Sequence, residues 1–385
     1  MLSVDTAYVT RVRRELHRVP ELEFDLPKTV AIVKQELTAL NIPHTEKFGT
    51  GSVVGTIGPA DAKYCIAIRA DMDALPVQEQ NDVPYRSTHT GLMHACGHDT
   101  HTAMLLAAAK LLKEQEAALT CRVKLLFQPS EEGRVSGASM MIQNGVLDDV
   151  DIVIGQHVDP ALDVGTAGIC IGPAMASSHN YKLEFFGKTA HATLPHTGAD
   201  ALAAAITAYQ AIHTMLNREI DPFTRYVCSI NKLNAGTTQN VVPDHAVMLG
   251  TLRTYDMDVD RFIMHRIKEI CANAANGTNV TFKCEDSTKA TVVNNDPALC
   301  EAWMCTARAV LGDDNVTVIA PQMASEDFSR FQDVRPGILF RTGSRNVEKG
   351  ITALLHNPDF DIDEKALPIG AALLVQFVLD QQAKQ

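Results

Sequence analysis

Apolar and polar positions alternate in two different ways along this chain, and the first pattern covers residues 1–177. Residues 27–40 carry apolar side chains at helical spacing, and the alanine-rich stretch 98–113 predicts a second helix. Three short apolar runs predict strands, at residues 64–69, 121–127 and 151–155. We expect the third strand to end just before His157. Strands that alternate with helices indicate an α/β sheet with substantial parallel pairing.

The second pattern begins near residue 178 and has the order strand, helix, strand, strand, helix, strand. Its strands are predicted near residues 181–186, 226–230, 246–255 and 278–284, and its helices near 198–217 and 258–274. This order is typical of a ferredoxin-like α+β unit. The first pattern then resumes, with a final helix from Glu364. We therefore predict a mixed, largely parallel sheet flanked by helices in residues 1–177 and 291–385, and an inserted lid domain in residues 178–290.

Composition limits the classes of protein to consider. A chain of 385 residues favours two domains. The net charge of -12 argues against nucleic-acid binding, which needs a basic surface. The N-terminus lacks a signal-peptide pattern, and the most apolar run, 103–112, is interrupted by Lys110, so we expect no membrane partner. Nine scattered cysteines are expected to be reduced thiols in the cytoplasm.

Candidate chemistry is concentrated between residues 94 and 157. The stretch His94-Ala-Cys-Gly-His-Asp99 is followed by Glu131-Glu132 and then by His157, each beside a predicted strand end. Thiolate, imidazole and carboxylate are the groups that bind zinc-like divalent metals. Because ligands bind at the carboxyl ends of strands in α/β sheets, we expect one shared site. A metal-activated water, and so hydrolysis, is the chemistry that this set supports.

Cys96 and His98 can both point into one site only from an irregular loop, which Gly97 permits. A lone cysteine is more often a buried small hydrophobe, but the neighbouring histidines and Asp99 favour a ligand here. His98 is also compatible with a surface position at a helix start. For His101, a supporting contact and plain packing are equally compatible with the sequence.

Glu131 and Glu132 follow a proline at a strand end, where a bare glutamate pair is more often a solvated loop. Hydrolysis needs one carboxylate on the metal and another that takes a proton from water. We therefore assign Glu131 as the general base and Glu132 as a ligand. His157, taken alone, is as compatible with core packing as with metal binding, and His356 does not stand out by spacing.

The motifs together resemble a family of metal-dependent amidohydrolases that includes aminoacylases, hippurate hydrolases, auxin-amino acid conjugate hydrolases and N-acetyldiaminopimelate deacetylases. The resemblance extends from the first helix nearly to the C-terminus. It is carried by the segments Arg13–Glu21, Arg69–Pro76, His94–His101, Phe127–Gly133, Gly155–His157, Gly187–His191, Asn240–Pro243, Gly250–Arg253, Ser325–Phe328 and Leu355–Pro358. Each motif is weak alone, but the joint match is specific.

The resemblance implies two divalent metal ions per chain, of zinc, manganese, cobalt or nickel. It implies Glu131 as the base and five metal ligands, which are Cys96, His98, Glu132, His157 and His356. The histidine that the wider superfamily places on the second strand is absent from Arg69-Ala-Asp71, and Asp71 is expected to support the ligands from behind.

The inserted domain has its own implied roles. It is expected to build a homodimer or higher homo-oligomer. The resemblance implies that His191 stabilises the developing oxyanion, often from the other subunit. It also implies that Asn240 and Arg253 hold the substrate carboxylate, since arginine suits bidentate carboxylate binding.

One departure from the family pattern affects the loop after the glutamate pair. Many relatives continue with further glycines, whereas this chain has Arg134-Val-Ser-Gly137. We expect this loop to be stiffer and to carry a cation close to the metals. A smaller departure is Ala235-Gly236, where a glycine pair is common.

The expected activity is hydrolysis of the amide bond of a small N-acyl amino acid, with the acyl group left open. A dipeptidase or carboxypeptidase is the alternative within hydrolysis. It would require a group that recognises a free substrate amine, or a tolerant acyl pocket. A metal-binding protein without turnover would have lost the base, but Glu131 is present.

Overall fold

The computed structural model describes residues 2–383, which divide into two compact units. The first unit contains the described residues up to Ala174, Val293–Pro321 and the described residues from Asp327 onward. The second unit contains Met175–Val292 and Gln322–Glu326. Each unit has its own cluster of buried hydrophobic side chains. The two units are therefore separate domains in the sense of having separate cores.

The helices and strands of residues 2–383 are numbered here in chain order. The helices are α1 Thr6–His17, α2 Pro27–Ala39, α3 His98–Glu114, α4 Gly137–Gln143, α5 Ala201–Arg218, α6 Met257–Gly277, α7 Pro297–Leu311, α8 Phe328–Gln332 and α9 Ala366–Gln382. The strands are β1 His44–Thr45, β2 Val53–Ile57, β3 Cys65–Asp71, β4 Arg122–Gln128, β5 Ile152–Asp163, β6 Ala167–Ile169, β7 Gly172–Met175, β8 Ser178–Phe186, β9 Ala190–His191, β10 Tyr226–Ala235, β11 Val241–Val242, β12 His245–Thr254, β13 Thr281–Ala290, β14 Val293–Asn295, β15 Val316–Val318 and β16 Gly337–Arg345.

The first unit is built on one mixed sheet with the strand order β1-β2-β4-β3-β5-β16-β6-β15. The central pairs β4–β3, β3–β5 and β5–β16 are parallel. The pairs β1–β2, β2–β4 and β16–β6 are antiparallel. Every residue of β3 is buried, as expected for a strand covered on both faces. The predicted mixed, largely parallel sheet flanked by helices is confirmed.

One strand boundary was predicted wrongly. β5 does not end before His157 but continues to Asp163. The reason is that β16 runs beside it in parallel register, with Arg341 opposite His157. Gln156 and His157 end the apolar run in the sequence, but their backbones stay in the ladder. His157 is therefore held on a strand and not on a loop.

The second unit has a four-stranded sheet with the order β10-β12-β8-β13, in which all neighbours are antiparallel. Leu183 and Phe185 of β8 are fully buried and belong to one cluster with residues of α5 and α6. Lys182, which directly precedes Leu183, is only partly buried, and Phe186, which directly follows Phe185, is 41% exposed. This is the ferredoxin-like arrangement expected from the sequence.

The character of the helices and the state of the cysteines are two general features of the described residues. Among residues 2–383, no helix has both the length and the apolar character needed to cross a membrane. The nine cysteines are all free, and six of them are buried. Buried free cysteines behave as small hydrophobic residues, so most of them need no chemical role.

Candidate metal centre

Polar side chains of the first unit gather where neighbouring parallel strands end. β4, β3 and β5 lie side by side in the sheet. Asp71 ends β3, and Glu131 follows β4 after two intervening residues. His157 lies in β5, and α3 begins at His98. The carboxyl edge of a parallel sheet is the usual ligand site of α/β proteins, as expected here.

The five predicted metal ligands come together in two overlapping groups. Cys96, His98 and His157 form the buried group, and Cys96, Glu132 and His356 form the exposed group. Within each group the ligand atoms lie within 4.8 Å of one another. Cys96 belongs to both groups. This donor set of thiol, imidazole and carboxylate suits zinc, cobalt or nickel, and its carboxylate also tolerates manganese.

Gly97 shapes the turn that brings Cys96 and His98 together. Its φ of 85° lies in the left-handed region, which glycine adopts at low cost. A Cβ atom at this position would lie 2.5 Å from Cγ2 of Val158, in β5. Glycine is therefore required both by the backbone conformation and by the close approach of β5.

The two histidines of the buried group are oriented by backbone carbonyls. His98 donates from Nδ1 to the carbonyl oxygen of Asp73 at 2.7 Å, and His157 donates from Nδ1 to that of Val158 at 2.7 Å. Nε2 of His98 is buried and has no hydrogen-bond partner among the described residues. Leaving a buried polar atom unpaired is costly, so a ligand at Nε2 would remove an energetic penalty. The residues therefore fit a metal ion.

Burial and neighbouring charges shift the pKa values of this group in different directions. Burial opposes a charge on His98, but Asp71 raises the pKa of His98 well above its usual range. Nε2 of His157 lies 3.4 Å from Sγ of Cys96. Burial lowers the pKa of His157 well below its usual range, so its ring is neutral. Burial, followed by the charge of Glu132, raises the pKa of the Cys96 thiol. Metal binding requires the thiolate, so an ion entering the site must displace the thiol proton.

Asp71 and His101 are joined to each other beside His98, and their ligand atoms lie within 4.8 Å of those of His98. His101 donates from Nδ1 to Asp71 at 2.6 Å, and its Nε2 accepts the backbone N–H of Val158 at 3.0 Å. Both ring nitrogens of His101 are thus occupied, which favours the supporting contact over a ligand role. The other oxygen of Asp71 accepts from Arg69 at 2.7 Å and lies 3.6 Å from Nε2 of His98.

The guanidinium of Arg69 is part of a buried charge network. It is 1% exposed and donates to Gln128 at 2.7 Å and to Asp327 at 3.1 Å, besides Asp71. Asp327 also accepts from Ser136 at 2.6 Å. The cation therefore links the ends of β3 and β4 behind the ligands.

Asp73 positions the glutamate pair, a role that we did not predict. Its two carboxylate oxygens accept the backbone N–H groups of Glu131 and Glu132, both at 2.9 Å. Its carbonyl holds the ring of His98. The available signal was the Asp-Met-Asp spacing after β3, which puts a second carboxylate at the carboxyl edge of the sheet.

Glu132 and His356 meet at the surface end of the site. Nε2 of His356 lies 3.1 Å from Oε1 of Glu132. Burial alone would raise the pKa of Glu132, but the hydrogen bond from His356 and then the charge of His98 hold it at about 2. His356 has a left-handed φ of 65°, and its backbone N–H donates to the carbonyl of Ala95 at 2.7 Å. That hydrogen bond places the segment around His356, which is distant in sequence, next to Cys96.

The other three predicted site residues belong to the second unit. His191 lies in β9, and its Nδ1 is 2.7 Å from Oγ1 of Thr193. Arg253 lies in β12 and donates to Oγ1 of Thr251 at 2.8 Å. Asn240 accepts from Oγ1 of Thr238 at 3.0 Å. They are not part of the two ligand groups, and their roles stay predictions.

The fold and the site define a metal-dependent hydrolase: ligands for divalent ions are clustered at the carboxyl edge of an α/β sheet, beside the carboxylate of Glu131. Residues 67–380 match Peptidase family M20/M25/M40. The chain belongs to this family, and the family resemblance inferred from the motifs is confirmed.

Two relatives and one solved structure give the comparison detail. The chain is 38% identical over 365 residues to the N-acetyl-L-cysteine deacetylase of Bacillus subtilis, covering 92% of this chain and 84% of that protein. It is 36% identical over 370 residues to Thermostable carboxypeptidase 2 of Saccharolobus solfataricus, covering 94% and 93%. The crystal structure of a dinuclear metal binding peptidase from Bacillus subtilis has a TM-score of 0.84 at 31% identity, with 99% of this chain and 100% of that one covered.

Proposed function

We propose that the protein hydrolyses the amide bond of small N-acyl amino acids and releases a carboxylic acid and a free amino acid. The observation that carries the proposal is the pair of ligand groups that share Cys96 beside the buried carboxylate of Glu131. The relative named N-acetyl-L-cysteine deacetylase supports the substrate class.

Two divalent metal ions per chain, of zinc, manganese, cobalt or nickel, are assigned to the two groups. Their ligands are Cys96, His98, Glu132, His157 and His356. Cys96 lies in both groups, so its thiolate would be available to hold either ion. Bound ions of this kind polarise the scissile carbonyl and lower the pKa of the attacking water towards neutrality. The solved structure of a dinuclear relative supports the number of ions.

Glu131 serves first as base and then as acid. Its carboxylate is held, because its own backbone N–H donates to Asp73 at 2.9 Å and its Oε1 accepts the backbone N–H of Asp327 at 3.3 Å. Glu131 removes a proton from water as the new C–O bond forms at the acyl carbon. It then gives that proton to the amine nitrogen as the C–N bond breaks.

The second unit contributes substrate-binding groups in this proposal. His191 stabilises the oxyanion of the tetrahedral intermediate. Asn240 and Arg253 bind the carboxylate of the amino acid. The guanidinium of Arg253 has five N–H donors in a planar fork, which suits two parallel hydrogen bonds to a carboxylate.

The domain roles and the assembly are part of the same proposal. Residues 178–290 act as lid and dimerisation domain for a catalytic domain formed by 1–177 and 291–385, in a homodimer or higher homo-oligomer. Ile206 and Tyr209 on α5 are 43% and 37% exposed, and Val227 on the edge strand β10 is 45% exposed. Apolar groups beside an unpaired strand edge favour a protein partner. The nine free cysteines favour the reducing cytoplasm.

A dipeptidase or carboxypeptidase is the second candidate, favoured by the relative named Thermostable carboxypeptidase 2. Removal of a C-terminal residue breaks the same kind of bond, an amide whose nitrogen belongs to an amino acid with a free carboxylate. The two candidates therefore differ only in the acyl side of the substrate. Unblocked dipeptides and their N-acetylated forms distinguish them.

The test measures amino acid release from N-acetyl, N-benzoyl and N-lauroyl amino acids and from unblocked dipeptides, with each of the four metals supplied in turn. We expect turnover of one N-acyl class. Glu131→Gln is expected to keep its metal ions and lose turnover, whereas Glu36→Gln, a buried glutamate paired with Arg11, keeps both. Cleavage of unblocked dipeptides only would establish the second candidate. An active Glu131→Gln variant would overturn the assigned base, and binding of two ions without any turnover would indicate a metal-binding protein.

A further inference from the structure

A buried histidine outside the ligand groups joins two acidic side chains. His17, at the end of α1, is 1% exposed, and its two ring nitrogens lie 2.8 Å from Oδ2 of Asp99 and 3.2 Å from Oε1 of Glu79. Both acids are themselves buried. Burial opposes a charge on this ring, but Asp99 raises the pKa of His17 above its usual value. Because ionised carboxylates only accept hydrogen bonds, the two contacts together require a ring that donates from both nitrogens, which is an imidazolium.

Each of these acids belongs to a segment attached to one of the ligand groups. Asp99 directly follows His98 in the first turn of α3. Glu79 precedes Gln80 and Asn81, which donate to the carbonyls of Pro358 at 2.9 Å and Phe360 at 2.8 Å. Those carbonyls lie in the segment just after His356. His17 thus connects the buried group, through Asp99, with the exposed group, through the loop at Glu79.

Arg13 repeats the same connection one helical turn earlier. It is 1% exposed, donates from Nε to Asp99 at 2.8 Å, and donates from Nη2 to Asp361 at 2.8 Å. Asp361 lies in the same segment after His356. Two buried cations on one face of α1 therefore each link Asp99 to the chain around His356.

We propose that Arg13 and His17 are positioning residues that fix the distance between His98 and His356, and so the spacing of the two metal ions. This inference rests on the metal site of the proposed function. It assigns a role to the Arg13–Glu21 motif, which the catalytic assignment does not use. Neither side chain touches a proposed ligand atom, so they act through Asp99 and the 358–361 segment.

The test is titration of the metal-free protein with Co²⁺, followed by visible and near-ultraviolet absorption. For His17→Gln we expect one of the two Co²⁺ equivalents to bind about tenfold more weakly or worse, with a changed thiolate-to-cobalt absorption. Arg11→Gln is the matched control, because it removes an ion pair from the exposed side of the same helix. The control should bind Co²⁺ as the unmodified protein does.

A purely structural role predicts a different result. His17→Gln would then lower the urea midpoint of the metal-free protein but leave both Co²⁺ affinities and the absorption unchanged, which would overturn the inference. If that variant does not fold, Arg13→Lys replaces it. Lysine keeps the charge but lacks the planar fork that reaches Asp99 and Asp361 together. We expect the same weakening, and unchanged Co²⁺ binding by Arg13→Lys would equally overturn the inference.

The unmodified protein separates this inference from the proposed function. If it binds two Co²⁺ ions and hydrolyses N-acyl amino acids while the variants bind Co²⁺ normally, only the positioning role fails. If the unmodified protein does not bind two Co²⁺ ions, the metal site of the proposed function fails, and the positioning role fails with it.

Discussion

The buried group and the exposed group share Cys96 but are held in different ways. His98 and His157 are 1% and 5% exposed, and each ring is fixed by a hydrogen bond from Nδ1 to a backbone carbonyl. The side chains of Glu132 and His356 are 17% and 54% exposed. His356 also has a left-handed backbone, which costs a non-glycine residue free energy.

The difference indicates that the two groups hold metal ions with different strength and different access to solvent. Hydrogen bonds to backbone carbonyls fix the rings of His98 and His157, so an ion bound by the buried group would lose little free energy to ordering its ligands. The exposed group is assembled from two chain segments at the surface, where solvent and substrate can reach an ion. We therefore expect a tightly held ion in the buried group and a more exchangeable ion in the exposed group.

The largest expected effect is that of Cys96→Ser, which removes the side chain common to both groups. Both ions should be lost, and with them the several kcal/mol of barrier lowering that metals supply, so turnover should fall by about a thousandfold or more. Metal content after dialysis and amino acid release are the measurements. Cys300→Ser, at a buried cysteine of α7, should keep both ions. A Cys96→Ser variant that keeps two ions would disprove the role of Cys96 as a ligand.

His157→Ala and His356→Ala separate the two groups. Each variant should keep about one ion per chain, but only the ion left in His356→Ala should resist a chelator, because its ligands are the buried ones. The measurement is the rate at which a chelator removes metal from each variant and from the unmodified protein. Equal rates for the two variants would contradict the comparison.

Asp73→Asn is a smaller change, and it tests the carboxylate that holds the backbone of Glu131 and Glu132. Asparagine offers one acceptor oxygen to two backbone N–H groups, so one N–H group loses its partner, at a cost of about 1–3 kcal/mol. We expect kcat to fall about 10- to 100-fold with little change in KM, because Glu131 and Glu132 lose their orientation. Asp82→Asn, at an exposed acid on the same connection, is the control. Normal kcat in Asp73→Asn would show that the pair is held by other contacts.

Much of this arrangement follows from local sequence patterns. The apolar runs predicted the strands β3, β4 and β5, and Gly97 between Cys96 and His98 indicated an irregular turn. The end of β5 was missed because the ladder with β16, a partner distant in sequence, decides it. Local apolar periodicity contains no information about that partner.

The rest depended on tertiary contacts. His356 enters the site through a hydrogen bond from its backbone N–H to Ala95, which spacing cannot reveal, and only the family resemblance pointed to it. The role of Asp73 depends on where its carboxylate points after β3. His17 belonged to a recognised motif, but the motif did not reveal its contact with Asp99, which joins the end of α1 to the start of α3.

The smallest expected effect is that of a substitution at His179, a buried histidine of the second unit that belongs to none of the candidate metal-binding groups found among the described residues. His179 lies 2.7 Å from Asp260 of α6 and 3.2 Å from Asp286 of β13, which also accepts from Lys268. Burial disfavours the charge on His179, but Asp260 and then Asp286 raise its pKa. A pKa raised in the folded state stabilises the protein fully below the unfolded value of about 6.5, and this contribution disappears as the pH rises through the folded pKa.

His179→Gln should therefore lower the free energy of unfolding by about 1 kcal/mol at about pH 6, and by less at about pH 9.5. Urea unfolding of the full chain at both pH values measures the difference, and Co²⁺ binding should be unaffected at either. His17 differs in that respect, because its two acids are attached to the ligand groups. If His179→Gln weakened Co²⁺ binding as His17→Gln does, loss of any buried imidazolium would be enough to disturb the metal site, and the specific connection through Asp99 and Glu79 would lose its support.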